Sequence, residues 1–453
     1  MPALLVLLLL PVDSASHLPK YTGLPNSCDY QLGVCLQHVL LTPHFAVFFN
    51  TTGFLAVTPE WAANVSMMAE SAYAKLVVQD GFPAPPRNPI PIYLDRATGG
   101  FTNYLLCGVC QPSAAELAHL QIEYRYKSPC PVDCGIPTSN WEVAHEFFHA
   151  IQFTQFNGSL PFGTWLAEGS ANWAGYNVAG NESRWDPWVI SAWLGPNATT
   201  EKSLEERRYD NAFFLVFLSD HFGGTETVKR IISSANRETR AEDVIVGQLR
   251  ALGYDKTLGQ VMNEFARAML TGNFTDRDGA VTVLRGLPPV GATTTWTGTN
   301  QTVSVFTNSV NGFTAGDALY VQIAGGMEFA RIKPDSATGL SVQLSAQDRS
   351  CFDASVVARK GNGSTIYRMD PSNPALVPSP DKFDEIFVVV TRDACASGLF
   401  SIDLGTFRPR EAGLLPSWAG TAALIAVAVA LLILMALTIR SARRRKAKSD
   451  LKV

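Results

Sequence analysis

The chain has 453 residues, of which 47% are hydrophobic and 17% charged, and its 36 Lys and Arg residues nearly balance 40 Asp and Glu residues. This composition excludes a disordered or collagen-like chain, and the length suffices for two or three domains that each bury a core. The basic residues cluster only at the very end of the chain, so a nucleic-acid-binding body is not expected.

The first 16 residues are predicted to be a secretory signal peptide. Residues 3–10 form an apolar run that ends at Pro11, and small residues suited to cleavage follow in residues 12–16. The positive charge that usually precedes the apolar run is missing. A short hydrophobic segment buried in the fold is therefore the alternative.

Eight cysteines are distributed along the chain. In an exported protein we expect them to form disulfides, because nothing outside the cell keeps them reduced. Their positions suggest that Cys28 pairs with Cys35 and that Cys351 pairs with Cys395. A structural zinc ribbon stays an alternative to disulfides for the remaining four, which are Cys107, Cys110, Cys130 and Cys134. Eight Asn-x-Ser/Thr sequons between residues 50 and 364 favour a glycosylated, extracellular body.

Apolar periodicity predicts the main elements of the first part of the chain. Helical spacing predicts a helix over residues 58–78, and short apolar or alternating runs predict strands over 91–95 and 120–126. The second strand is expected to be a sheet edge along which an extended peptide pairs. Further helices are predicted at about 140–155, 165–176, 211–221, 225–235, 241–252 and 258–270.

The segment with the clearest chemical meaning is the pattern His145-Glu-x-x-His149. Two histidines four residues apart project from one face of a helix, which suits two imidazoles on one metal ion. The carboxylate of Glu146 is adjacent to the first ligand, where it can accept a proton from water as a general base. Gln152 and Gln155 stand where a metzincin would have glycine and histidine, so that class is excluded.

A catalytic zinc ion needs a third protein ligand and an open position. Glu168 follows a turn rich in Gly, Ser and Pro and lies on a second helical segment, so a hairpin brings it back to the histidines. Its apolar neighbours Trp165 and Leu166 indicate that its charge points inward and needs a cation. The candidate zinc ligands are therefore His145, His149 and Glu168.

Residues 144–152 (AHEFFHAIQ) and 165–168 (WLAE) together resemble the gluzincin metallopeptidases, in which HExxH is followed at about this distance by a glutamate on a second helix. They are particularly similar to a group of secreted gluzincin proteases. The resemblance implies an α+β zincin-like domain and one catalytic Zn²⁺ held by the three candidate ligands, with Glu146 as the base.

The resemblance also implies roles for two residues outside the HExxH pattern. Tyr209 would donate a hydrogen bond to the oxyanion of the transition state, and Asn172 would accept a hydrogen bond from a ligand histidine. The alternative for Tyr209 is a tyrosine that begins an amphipathic helix and packs on the core. The other histidines lack a motif and are not expected to bind metal.

The residue composition changes in the last third of the chain. Short alternating runs rich in Thr, Val, Ser and Gly indicate a β-sandwich.

Residues 412–439 contain no charged residue. This segment is longer than the ~20 apolar residues that span a bilayer, so we expect a transmembrane helix. Six cations follow directly and mark the cytoplasmic side: Arg440, Arg443, Arg444, Arg445, Lys446 and Lys448.

The predicted organisation has five parts. They are a signal peptide (1–16), a zincin-like metallopeptidase domain (17–286), a β-sandwich (287–407), a juxtamembrane segment with a transmembrane helix (408–439) and a basic cytoplasmic tail (440–453). We therefore expect a single-pass type I membrane protein at the cell surface. Its partners would be a peptide or protein substrate and the membrane, without nucleic acid.

The predicted function is hydrolysis of extracellular peptides or proteins, with zinc activating the water that Glu146 deprotonates. One alternative is a non-catalytic surface binding or adhesion protein on the same scaffold, which the intact ligand set disfavours. The other is an aminopeptidase. Residues 99–104 faintly resemble a motif that holds the amino terminus of a substrate, but its acidic residue is absent, which favours an endopeptidase.

Overall fold

A computed structural model describes much of the chain outside its two ends. The described residues are 8–11, 28–29, 34–52, 56–95, 101–104, 118–123, 125–126, 135–136, 140–156, 163–180, 192–193, 204–236, 239–274, 292–296, 301–303, 319–321, 327–334, 336, 338–346, 348–369, 373–393 and 398–407. They form a mixed structure in which helices pack against β-sheets.

The first half of the described chain contains one large sheet and two short strand pairs. Its strands are β1 (Leu8–Pro11), β2 (Cys28–Asp29), β3 (Val34–Cys35), β4 (His38–Leu41), β5 (Phe45–Phe49), β6 (Ile90–Asp95), β7 (Phe101–Tyr104), β8 (Ala118–Glu123), β9 (Arg125–Tyr126) and β10 (Gly135–Ile136). The large sheet has the order β1-β4-β5-β6-β8-β7, with β5, β6 and β8 parallel to one another.

The centre of this sheet is covered on both faces. Every residue of β5 is buried, as expected of an apolar strand inside a sheet. Phe45 and Val47 belong to the main core with the helices, whereas Phe48 stacks on Tyr93 in a smaller cluster on the opposite face. The period of two along the strand thus produces two apolar layers.

The strand order of this sheet bears on two predictions made from the sequence. The strand predicted at 120–126 is present as β8 and β9, but it is not a sheet edge, and that prediction is wrong. β7 pairs antiparallel along β8, with Phe101 opposite Gln121, and so occupies the edge that we expected a substrate to use. Residues 8–11, inside the predicted signal peptide, form β1 beside β4, which is what the alternative of a segment belonging to the fold expects.

Seven α-helices are described, and each predicted helix is found within a few residues of its expected bounds. They are α1 (Pro59–Tyr73), which continues as a π-helical segment (Ala74–Gln79), α2 (Asn140–Gln155), α3 (Thr164–Ala179), α4 (Asn211–His221), α5 (Thr225–Ser234), α6 (Ala241–Ala251) and α7 (Leu258–Thr271). Local capping explains two of the starts. The Thr58 hydroxyl accepts a hydrogen bond from Trp61 N, and Thr257 forms a capping box with Gln260.

Helices α2 and α3 pack very closely, and a glycine makes this approach possible. A Cβ atom on Gly175 of α3 would lie 2.7 Å from the Trp141 ring of α2, a distance that real Cβ atoms do not adopt. Between Val143 and Gln152 every residue of α2 is buried. The two helices that carry the predicted metal ligands therefore form the centre of the main core.

Ten further strands are found in the region predicted to be a β-sandwich. They are β11 (Ala292–Trp296), β12 (Gln301–Val303), β13 (Leu319–Val321), β14 (Met327–Pro334), β15 (Gly339–Ala346), β16 (Phe352–Lys360), β17 (Gly363–Met369), β18 (Ala375–Val377), β19 (Glu385–Arg392) and β20 (Gly398–Phe407). One sheet has the order β11-β14-β19-β16-β17, and the other has the order β12-β20-β15-β18 with β13 also paired to β20. A shared apolar core that includes Val356 and Ile402 confirms the sandwich. The predicted boundary at 286/287 lies outside the described residues.

Helix α7 joins the sandwich to the rest of the protein. Phe387 and Val389 of β19 face α7 and belong to the main core, whereas Val388 between them faces the sandwich interior. Polar contacts reinforce this joint, since Asp393 accepts hydrogen bonds from Thr257 Oγ1 (2.8 Å) and Gly259 N (2.6 Å) at the start of α7. One sheet of the sandwich thus has two buried faces.

Two of the predicted disulfides meet described residues. The backbone pairing of β2 with β3 places Cys28 opposite Cys35, and Cys351 is disulfide-bonded. Cys395 and the group of four cysteines lie outside the described residues.

In the part of the chain that the structure covers, no helix has the length and apolarity to cross a membrane. The predicted span at 408–439 and the basic tail at 440–453 are not among the described residues.

The joint between α7 and the sandwich predicts a pH effect on stability. Asp353 lines a cavity of about 260 Å³ there, and burial raises its pKa from an ordinary 3.8 to about 6, although the charge of Arg267 opposes this. The folded protein therefore binds more protons than the unfolded chain between about pH 4 and pH 6. The free energy of unfolding should fall by up to about 3 kcal/mol as the pH rises through this window.

The side chain introduced by Asp353→Asn is uncharged at every pH, so this variant should lack the pH-dependent part of the unfolding free energy that Asp353 contributes. Urea denaturation measures the unfolding free energy of both proteins. We expect that of the wild type to fall relative to that of Asp353→Asn between pH 4 and pH 7. Asp381→Asn removes an exposed carboxylate of the sandwich and is the control. A difference that stays constant with pH would contradict the buried carboxyl.

Candidate metal centre

The two histidines of the HExxH pattern project from one buried face of α2. His145 Nε2 and His149 Nε2 are 3.1 Å apart, and the two rings meet edge to face. Their spacing of four residues in a regular helix produces this geometry. Both side chains are buried, so their ring nitrogens compete little with bulk water.

Glu168 of α3 completes a triangle of donor atoms. Its Oε2 atom lies 3.5 Å from His145 Nε2 and 3.4 Å from His149 Nε2. Tetrahedral zinc with bonds of about 2.0–2.1 Å holds its ligand atoms about 3.3–3.4 Å apart. The three predicted ligands therefore come together at distances that fit one such ion, and they form a potential metal-binding group within the described residues.

The charges at this triangle favour a bound cation. Burial would raise the pKa of Glu168, but hydrogen bonds from His145 and His149 outweigh it and hold that pKa well below its usual range. Burial likewise opposes charge on His149, yet Glu168 and Glu146 raise its pKa overall. Two carboxylates thus stabilise positive charge between the imidazoles, and a divalent ion can supply that charge in place of a proton.

Gln152 orients one of the ligands and was not assigned a role from the sequence. Its Oε1 accepts a hydrogen bond from His149 Nδ1 at 2.8 Å, which leaves Nε2 of His149 free to bind metal. The amide nitrogen of Gln152 donates to Ala167 O and to Ser170 Oγ, both on α3. The signal available in the sequence was the position of the glutamine three residues after a ligand histidine, since this spacing places both on one helix face. The structure buries Gln152 completely.

Glu146 lies beside the triangle but outside it. Its side chain is only about 5% exposed, and its Oε1 atom is 3.9 Å from His145 Nε2. That separation is too long for a strong hydrogen bond and is consistent with a carboxylate next to the metal position. The structure thus places the predicted base within reach of a small molecule at the site.

Tyr209 also lies at the site, in the turn that precedes α4. Its ring is roughly parallel to that of His145, with the centroids 6.1 Å apart. Tyr209 is 36% exposed, so part of it is accessible from solvent at the site. Burial of the hydroxyl and the nearby charges of Glu168 and Glu146 raise the pKa of Tyr209, which keeps it a neutral donor.

The hydrogen bond that we expected from a ligand histidine to Asn172 is not formed. Asn172 instead donates from Nδ2 to Tyr209 O at 3.1 Å. Its Oδ1 atom and His145 Nδ1 are both buried without a hydrogen-bond partner among the described residues. The hydrogen bond from a ligand histidine that we expected Asn172 to accept is instead accepted by Gln152, which lies on the same helix as His149.

Three other histidines have hydrogen-bond partners of their own. His44 Nδ1 is 2.7 Å from Glu70 Oε2, and its ring stacks on Tyr73. His38 contacts Thr51, and His221 contacts a backbone carbonyl. None of the three joins a metal-binding group in the part of the chain that is described.

Comparison of the chain with models of protein families, with curated proteins and with solved structures finds no match. The resemblance to gluzincin peptidases therefore stays a prediction.

The hydrogen bond between Gln152 and His149 generates a prediction about zinc affinity. Gln152→Leu leaves His149 Nδ1 without an acceptor, and we expect zinc affinity to fall about 10-fold to 100-fold. Competition with a zinc chelator measures this change.

Gln155→Leu is the matched control. Gln155 lies one turn further along α2, and its amide donates a hydrogen bond to Ser233 Oγ at the surface, so zinc affinity should stay within twofold of wild type. Circular dichroism checks that both variants fold. A folded Gln152→Leu protein with unchanged zinc affinity would show that this hydrogen bond does not organise the site.

Proposed function

We propose that the chain is a zinc-dependent peptidase, with a zincin-like domain at residues 17–286. The observation that carries this proposal is the triangle of His145 Nε2, His149 Nε2 and Glu168 Oε2, with edges of 3.1, 3.4 and 3.5 Å. The chemistry of the donor set supports zinc, which favours imidazole nitrogen and carboxylate oxygen and keeps an open position in catalytic sites. Two residues suited to proton transfer and charge stabilisation adjoin the triangle.

A zinc ion held by these three residues would supply Lewis acidity, which polarises a carbonyl group and makes a nearby water molecule more acidic. The carboxylate of Glu146 accepts the proton that the attacking water loses. Glu146 then donates this proton to the nitrogen of the departing amine, so that one water molecule is consumed for each peptide bond. Its burial keeps it close to the reacting atoms and away from competing solvent.

We assign to the hydroxyl of Tyr209 the role of donating a hydrogen bond to the oxygen that gains negative charge. The nearness of its ring to that of His145 supports this role. The raised pKa of Tyr209 keeps the proton on this hydroxyl at neutral pH. A donor that is positioned before the reaction stabilises the transition state more than it stabilises the substrate. Removing one such donor commonly costs about 100-fold to 1,000-fold in kcat.

The proposed setting is the cell surface, and the proposed substrates are extracellular peptides or proteins. The sequons and the predicted transmembrane span support this setting. We favour an endopeptidase, since residues 99–104 lack the acidic residue that an aminopeptidase uses for a substrate amino terminus. Cleavage sites within a peptide library separate these two possibilities.

The assignment of Glu146 predicts a specific loss of activity. The full chain and its Glu146→Gln variant should both contain one zinc ion, but only the wild type should cleave a mixed peptide library. The amide of Gln cannot accept the proton from water, so turnover should fall at least about 1,000-fold. Zinc content by mass spectrometry and cleavage by chromatography are measured on the same samples.

Glu60→Gln, which removes an exposed carboxylate of α1, should retain full activity as the control. Retained cleavage by Glu146→Gln would contradict its role as the base. Zinc without cleavage in the wild type would favour the binding-protein alternative, and the absence of zinc would overturn the proposal.

A further inference from the structure

The turn that carries Tyr209 is unusual in its burial. Tyr209 is about one-third exposed, whereas Arg207 and Asp210 on either side of it are buried. Removing the charges of an arginine and an aspartate from water costs free energy. A pair of apolar residues of similar size often stabilises a core to the same extent or more. A buried ion pair beside a candidate catalytic residue therefore suggests a need for a defined geometry.

The contacts of this pair hold the backbone on both sides of Tyr209. Arg207 Nη1 donates to Asp210 Oδ2 at 2.6 Å, and its guanidinium group lies 3.5 Å from the centre of the Trp193 ring. Asp210 Oδ1 accepts a hydrogen bond from Arg208 N at 3.0 Å. Trp193 Nε1 donates to Asp210 O at 2.8 Å. We call Trp193, Arg207 and Asp210 the clamp.

Two contacts tie this turn to the helix that carries the ligand Glu168. Asn172 of α3 donates to Tyr209 O, so the carbonyl groups of two successive residues, 209 and 210, accept side-chain hydrogen bonds. Gly169 of α3 allows the turn to lie directly on the helix. A Cβ atom there would be 2.9 Å from Asn211 Cβ and 3.3 Å from Arg208 O.

The clamp itself rests on the main core. Trp193 is fully buried and meets Phe265 of α7 edge to face, with the ring centroids 5.0 Å apart. Phe265 also packs against Phe213 and Phe217 of α4, the helix that begins directly after the turn. The backbone on each side of Tyr209 is thus fixed to elements that are themselves rigidly packed.

We propose that the clamp is a positioning device that holds the Tyr209 hydroxyl at the metal site. This inference rests on the proposed peptidase function. The clamp contacts the turn and the core, since Arg207 bonds Asp210 and stacks on Trp193 while Trp193 bonds Asp210 O. We therefore expect its effect on catalysis to pass through Tyr209. A displacement of about 1 Å at a catalytic group can cost as much as about 100-fold in rate.

The test is a double-mutant cycle between Arg207→Lys and Tyr209→Phe in the full chain. Lysine keeps the positive charge but lacks the planar group that stacks on Trp193 while it bonds Asp210. Arg207→Lys alone should lower kcat about 10-fold with KM and zinc content nearly unchanged. In the Tyr209→Phe background the same change should have no further effect on kcat, because the group that it positions is gone.

Arg331→Lys is the control variant. It weakens a partly buried ion pair with Glu385 in the sandwich, and it should leave kcat unchanged in both backgrounds. A loss of kcat from Arg207→Lys that is equally large with and without the Tyr209 hydroxyl would overturn the proposal. Loss of zinc in Arg207→Lys would also overturn it, because the clamp would then act on the metal site as a whole.

Hydrogen exchange gives a readout that does not require activity. Amide exchange in residues 204–213 should be faster in Arg207→Lys than in wild type and unchanged in Tyr209→Phe. If zinc-loaded wild type cleaves no peptide, the proposed function fails, and with it the catalytic role of the clamp. If exchange in Arg207→Lys equals that of wild type, the clamp fails whatever the activity.

Discussion

Two imidazole nitrogens and a carboxylate oxygen meet within 3.5 Å of one another in the core of this protein. Without a cation or a shared proton, such an arrangement places lone pairs against one another away from water, which is unfavourable. The surrounding structure is built to maintain it. Helices α2 and α3 approach closely at Gly175, and the buried amide of Gln152 bonds a ligand of one helix to the backbone of the other.

Sequence periodicity was sufficient to predict the parts of the fold that depend on local patterns. Helices α1, α5 and α6 have apolar stripes, whereas α4 is buried on all sides. The spacing of His145, His149 and Glu168 identified the donor set. These features are encoded within a few turns of chain, where side-chain direction follows from helix geometry. The strands of the sandwich were recognisable for the same reason, through their alternation.

Features that depend on long-range pairing could not be read in this way. The four residues of β7 carry no strong strand signal, and only their pairing with β8 shows that the edge of the sheet lies one strand further out. Gln152 and Asn172 were equally hard to assign, because their roles depend on which of two helices each side chain reaches. The contact of Arg207 with Trp193 joins residues on the two sides of the segment 194–203, and no local pattern in the sequence indicates it.

The position of α7 between the two halves has a consequence for how the protein can be divided. Composition places a domain boundary near residue 287, yet α7 buries one side against α4 and the other against Phe387 and Val389 of the sandwich. A fragment that stops at this boundary would expose the second side, together with Asn263, whose hydrogen bonds are to the sandwich. Recombinant expression, deletion analysis and shuffling of modules should therefore treat the half that carries His145, His149 and Glu168 and the sandwich as one cooperative folding unit.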